Sequence, residues 1–224
     1  MVIAETFVSL QGEGALAGTP SFFIRTAGCN LRCVWCDTPY TSWQPRGKRV
    51  TLAELLRAAR QAAQRHIVVT GGEPLLQREI GTLTQALAAE GHHITVETAG
   101  TLAPSFVCHL LSVSPKTGNS TPAGAWWARH EQRRSPRAPL RALLAAHPDY
   151  QLKFVVRDEG DMEEIKDLIE DVHADRARVL LMPEGRTAAE VAEHAATVVA
   201  LCLRHGFRYS PRLHLDLFGG GPGV

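Results

Sequence analysis

Neither sign of charge predominates in this chain: 24 lysines and arginines against 23 aspartates and glutamates leave a formal net charge of +1. Without a basic excess there is no electrostatic case for nucleic acid or a membrane surface as a partner. Long apolar runs are missing as well, and no stretch approaches the ~20 residues that a membrane span needs. Residues 1–10 carry Glu5 and no basic leader, which does not fit a secretory signal. Internal repeats and low-complexity tracts are absent. Cysteine is sparse, five in 224 residues. Three of the five stand together and the other two far apart, which excludes a disulfide framework. A cytoplasmic, reducing location is the expectation.

Those three clustered cysteines are the most informative feature present. Cys29, Cys33 and Cys36 form a C-x3-C-x2-C pattern, one ligand short of a closed structural zinc site. The first histidine beyond them is His66. Three thiolates on a short loop can hold three corners of a cubane iron–sulfur cluster and leave the fourth iron open. Zinc binding or redox use of these thiols is the alternative. Cys108 and Cys202 lie in apolar stretches and read as inert core residues.

Elsewhere, short β-branched runs alternate with helical stretches, which argues for parallel βαβ units. Strands are expected over 21–26, 66–70, 93–98, 107–113, 150–156 and 177–182, with a last one within 207–218. Helices are expected over 51–65, 76–90, 161–172 and 187–205. Thr51 with Glu54, and Thr187 with Glu190, have capping-box spacing. Six or so strands are too few for a closed eight-unit barrel. The expected fold is α/β, an incomplete (β/α) barrel with about six parallel strands and reduced helices, forming one domain over 1–224. Residues 117–139 break the rhythm with prolines, Trp126, Trp127 and basic Arg133, Arg134 and Arg137. They are either a surface excursion or an insert serving as a lid or docking segment.

An open iron must be filled by something that chelates it, as the amino and carboxylate groups of S-adenosylmethionine (SAM) can. Gly71 and Gly72 allow close backbone approach, so that their carbonyls and Glu73 can meet an ammonium. C-x3-C-x2-C followed by Gly71-Gly72-Glu73-Pro74 resembles the radical SAM superfamily. The SLQGEG of residues 9–14, Phe23-Ile24-Arg25, the GCNLRC of residues 28–33 and Trp35-Cys36-Asp37-Thr38 resemble, more narrowly, the 7-carboxy-7-deazaguanine synthase family. Thr70, Glu97-Thr98, Ser114-Pro115-Lys116, Met182-Pro183-Glu184 and Pro211-Arg212-Leu213-His214 continue the match.

The resemblance implies a lyase that converts 6-carboxytetrahydropterin to 7-carboxy-7-deazaguanine with loss of ammonia, for queuosine and related deazapurines. It implies a homodimer, a [4Fe–4S] cluster, SAM, Mg²⁺ and an electron donor such as flavodoxin or ferredoxin. Cys29, Cys33 and Cys36 would hold the cluster, and Thr38 would give its hydroxyl to Mg²⁺. Trp35, Cys36, Asp37, Gly72, Glu73, Ser114, Pro115, Lys116, Met182, Pro183 and Glu184 would contact SAM. Leu10, Gln11, Gly12, Glu13, Arg25, Thr70 and His214 would contact the pterin. The residue types suit this: Gln and Glu together satisfy a pterin edge, and a guanidinium pairs bidentately with a carboxylate. Arg25 sits in an apolar strand, where a charge is expensive unless paired. Glu13 could instead be a solvated turn residue, and Thr38 a turn cap before Pro39.

Overall fold

Runs of Val, Ile, Leu and Phe with few interruptions give strands buried on both faces, and these form the centre of one nine-stranded sheet. The computed structural model describes residues 1–223. In chain order the strands are β1 (Val2–Leu10), β2 (Pro20–Thr26), β3 (Lys48–Arg49), β4 (His66–Gly71), β5 (His93–Thr98), β6 (Leu110–Val113), β7 (Tyr150–Val156), β8 (Val179–Pro183) and β9 (Arg208–Tyr209). Their spatial order is β3-β1-β2-β4-β5-β6-β7-β8-β9, an open sheet with β3 and β9 at its edges. Pairings from β2 to β9 are parallel, whereas β1 runs antiparallel to β2 and β3. The six longer parallel strands are those expected of an incomplete barrel. The antiparallel β1 is an addition that the sequence pattern did not disclose.

The helices are α1 (Pro39–Ser42), α2 (Leu52–Ala62), α3 (Ile80–Ala89), α4 (Trp127–Arg133), α5 (Arg137–Ala146), α6 (Met162–Asp171), α7 (Ala188–His205) and α8 (Leu213–Phe218). The step from β5 to β6 carries no helix. Ile67 and Val69, Ile94 and Val96, Leu111 and Val113, and Leu152 and Phe154 pack with helix residues such as Leu55, Leu83, Leu143, Ile165 and Val198 in one core. Each such side chain contributes roughly 1.5–3 kcal/mol by leaving water. A strand's side chains alternate between faces, so the residues between these point away from the helices. Thr70, Glu97, Ser112 and Lys153 are among them, and they line a cavity. The apolar face supplies the stability, which leaves the other face free to be polar.

The capping box at α2 forms in both directions: Glu54 N–H donates to Thr51 Oγ1 (3.2 Å), and Thr51 N–H donates to Glu54 Oε2 (2.7 Å). At α7 it forms by half, because the Glu190 carboxylate accepts from Arg186 N–H instead. The expected 76–90 helix begins only at Ile80, since Pro74–Leu76 make a separate 3-10 turn. The expectation of a terminal strand over 207–218 needs correction: only Arg208–Tyr209 pair, and Leu213–Phe218 are helical. Leu213-His214-Leu215 is too short a run for alternation to tell strand from helix. Residues 117–139 contain two 3-10 turns, α4 and the start of α5.

Candidate active site

The cavity opens where β2 and β4 to β8 end, and loops from those ends supply its walls. β2 runs into the cysteine loop through Gly28, whose φ of 99° favours glycine. That loop is tied to its neighbour by Glu73 N–H donating to Gly28 O (2.9 Å) and by Gly28 N–H donating to Thr41 O (2.8 Å). A Cβ on Gly72 would lie 2.4 Å from Gly28 O and 2.7 Å from Thr41 O. Gly72 therefore lets two backbones nest, which brings the cysteine loop against the end of β4.

Opposite the cysteines, charged side chains form one network. Lys153, with 3% of its side chain exposed, puts Nζ 2.8 Å from Glu13 Oε2 and 3.5 Å from Glu97 Oε1. Gln11 Nε2 (3.2 Å) and Thr70 Oγ1 (2.9 Å) also donate to Glu97. Arg212, equally buried, reaches Glu13 (3.3 Å), Asp37 and the carbonyl of Gly185. Burial pushes the Glu13 carboxyl up, but Lys153, Arg212 and His214 outweigh it and hold the group down at about 2. Asp37 is likewise held well below the usual carboxylate range against its burial, by Arg212 and then by His214. His214 packs directly on the glycine loop, since a Cβ on Gly12 would lie 2.3 Å from His214 Nδ1. Leu213 N–H donates to Gly12 O (2.9 Å), which docks α8 against that loop.

Arg25 faces Glu5 across the β1–β2 pair, with Nε 2.7 Å from Glu5 Oε1. Tyr40 Oη donates to the same oxygen (2.6 Å). The guanidinium is thus held at the cavity wall by a second strand.

A family model described as the Radical SAM superfamily matches residues 23–195. A curated 7-carboxy-7-deazaguanine synthase of Halobacterium salinarum is 46% identical, over 98% of this chain and 91% of the relative. This chain belongs to the radical SAM superfamily and, within it, to the 7-carboxy-7-deazaguanine synthase family. A synthase of the same name from Rhodopirellula baltica is 40% identical over 100% of this chain and 89% of its own. The crystal structure of QueE from Escherichia coli superposes with a TM-score of 0.71 at 25% identity, covering 95% of this chain and 94% of that one. The fold recurs in Streptococcus suis SuiB (TM-score 0.53, 14% identity), over 81% of this chain and 47% of that one.

Membership of the radical SAM superfamily implies a [4Fe–4S] cluster and SAM, and the donor set fits them. Cys29, Cys33 and Cys36 line the cavity together, and burial pushes Cys29 up to about 11 and Cys33 up to about 12. Neutral thiols in such surroundings become ligands when a metal displaces their protons. Among the described residues, one group of potential ligands lies within 4.8 Å of one another, namely Glu13, Asp37 and His214. Three cysteines are one ligand short of a closed structural zinc site and suit a cubane cluster with one open iron.

Of the pterin contacts implied by the resemblance, Leu10, Gln11, Gly12, Glu13, Arg25, Thr70 and His214 all line the cavity. So do Trp35, Cys36, Asp37, Thr38, Gly72, Ser114, Lys116 and Met182. Glu73, Pro115, Pro183 and Glu184 do not. The Glu73 carboxylate is fully buried and accepts from Leu75 N–H (3.0 Å), Thr98 Oγ1 (2.7 Å) and Ala99 N–H (2.9 Å). Here it fastens the Gly-Gly turn to the end of β5. Glu184 pairs with Arg157 (2.8 Å). Two residues of the network, Lys153 and Arg212, had no role in the sequence reading. A lysine inside YQLKFVV carries the same warning as Arg25, because a charge in an apolar strand needs a partner.

Proposed function

We propose that this chain converts 6-carboxytetrahydropterin to 7-carboxy-7-deazaguanine with loss of ammonia. The observation that carries this reading is the pairing of three cavity-lining cysteines with a wall that combines Arg25, Gln11 and Glu13. Cys29, Cys33 and Cys36 hold the cluster, and Gly72, Ser114, Lys116 and Met182 line the space for SAM. With both bound, the cluster supplies the electron that cleaves the sulfonium. The chain's own residues position the substrate. Arg25 pairs with its carboxylate, a match of planar fork to planar anion. Gln11 and Glu13 take the donors and acceptors of the pterin edge, and Thr70 and His214 flank the ring. Glu13 stays anionic at neutral pH, so it accepts hydrogen bonds and does not donate them. Thr38 would offer its hydroxyl to Mg²⁺.

The chain works as one domain and as a homodimer reduced by a small electron carrier such as flavodoxin or ferredoxin. Among the described residues no helix is long and apolar enough to cross a membrane. The test is an anaerobic assay with reductant, SAM and the carboxypterin, following deazaguanine absorbance and 5′-deoxyadenosine. Arg25→Ala is expected to lower turnover of the carboxypterin at least about 100-fold, since it removes a bidentate ion pair, while iron content stays that of wild type. Wild-type protein that takes up iron and sulfide yet yields no deazaguanine overturns the substrate assignment.

A further inference from the structure

The segment 117–134 has no part in the reading above, yet it is bonded to the cysteine loop along three successive stretches of that loop. Arg32 N–H donates to His130 Nδ1 (3.1 Å), Val34 N–H to Ser120 O (3.0 Å), and Trp35 Nε1–H to Asn119 Oδ1 (3.1 Å). The Arg32 guanidinium also stacks over Trp126, 4.5 Å from the ring centroid. His130 is central to this contact. It is 1% exposed, and both ring nitrogens are committed. Because Nδ1 accepts from a backbone N–H, Nε2 carries the proton and donates to Ser120 Oγ (2.9 Å). The Ser120 hydroxyl in turn donates to Thr117 O (2.7 Å). The chain of donors runs one way, from the cysteine loop through the imidazole into the turn before α4.

We propose that His130 is a positioning residue for the cluster: it holds the backbone between Cys29 and Cys33 in its ligating conformation from outside the cavity lining. This rests on the reading of Cys29, Cys33 and Cys36 as cluster ligands. Inside that loop, Arg32 N–H has no hydrogen-bond acceptor among the described residues other than this imidazole. Removing the acceptor leaves a donor in a half-buried loop unpaired and frees the chain between two ligands. His130 does not line the cavity that the cysteines line, so its effect is on retention of the cluster and on loop order.

The experiment uses His130→Leu, His130→Asn and Trp126→Leu beside wild type. An asparagine places an amide oxygen near the Nδ1 position and restores the acceptor for Arg32 N–H. In the apo-protein, hydrogen exchange of the peptide covering 29–36 is expected to speed up about tenfold in His130→Leu, and to return most of the way to wild type in His130→Asn. After anaerobic reconstitution, iron loss to a chelator is expected to accelerate by a similar factor in His130→Leu, at unchanged iron stoichiometry before the challenge. Trp126→Leu, a milder change at the rim, is expected to give an intermediate rate in both assays. Should His130→Leu not fold, the Trp126→Leu and His130→Asn pair still decides the matter. Exchange over 29–36 and iron-loss rates equal to wild type in His130→Leu, or in Trp126→Leu where His130→Leu does not fold, overturn the proposal. Wild type that binds no iron and sulfide instead overturns the cluster reading, while the apo-protein exchange result still reports on the loop contact alone.

Discussion

Replacing Lys153 with methionine tests the charge network most directly. The ammonium lies between Glu13 Oε2 (2.8 Å) and Glu97 Oε1 (3.5 Å), with both carboxylate side chains mostly out of water, at 15% and 21% exposed. Deleting one partner of a buried ion pair costs about 3–5 kcal/mol. Here the low end applies, because each carboxylate keeps other donors: Arg212 for Glu13, and Gln11 and Thr70 for Glu97. A loss of about 3 kcal/mol in a chain of this size corresponds to a fall in Tm of roughly 6–12 °C. The pH dependence gives a second check. Glu13 is held at about 2 in the folded protein, below its ordinary 4.5. Its stabilising contribution is therefore complete above pH 4.5 and lost as pH falls toward 2. In Lys153→Met that depression weakens, so the gap between variant and wild type should shrink with acidification. Urea denaturation of the apo-proteins at pH 7 and pH 4 measures both quantities. A gap under about 1 kcal/mol at pH 7, or one that widens at pH 4, would refute the assignment of Lys153 as the counter-charge. Glu13→Gln combined with Lys153→Met should recover part of the loss, since the charge left unpaired is then gone.

Gly12→Ala should lower turnover at least about tenfold with cluster content unchanged, because the new methyl must displace the His214 ring that now lies within contact of it; normal kinetics in that variant would mean that α8 need not seat as it does. His66, 4% exposed and bonded to Ser21 Oγ (2.6 Å) and Thr95 Oγ1 (2.8 Å), is pushed from 6.5 down to about 4 by burial and then by His93. The neutral ring is the native form, so its contribution, up to about 3 kcal/mol, is present above pH 6.5 and lost as pH falls toward 4. Thermal melts of wild type and His66→Gln across that window should converge at the acid end, and parallel curves would argue against it.

The parts of this molecule that were legible in advance are those governed by short-range rules. Strand and helix alternation gave the open parallel sheet, and Thr51 with Glu54 marked the start of α2 correctly. The cysteine spacing and the SLQGEG segment marked the cavity because each packs several functional residues into one loop. Glu73 shows a different limit: a carboxylate beside two glycines looks available for a ligand, and only the fold shows three donors from β5 and its own turn converging on it. Lys153 and Arg212 lie 140 and 199 residues from Glu13, so no local pattern could join them. The segment 117–139 was opaque because its prolines and tryptophans signal irregularity, whereas its binding to residues 32–35 is tertiary.

The separation between Glu13 and Arg212 has a temporal meaning. At typical synthesis rates the intervening chain takes roughly 10–40 s to emerge. Throughout that interval the loop of residues 10–14 waits without its clasp, and Asp37, next to Cys36, waits without its partner Arg212. A nascent molecule therefore passes through a stage in which the cysteine loop is complete while the wall that Glu13, Asp37 and Arg212 build is unfinished.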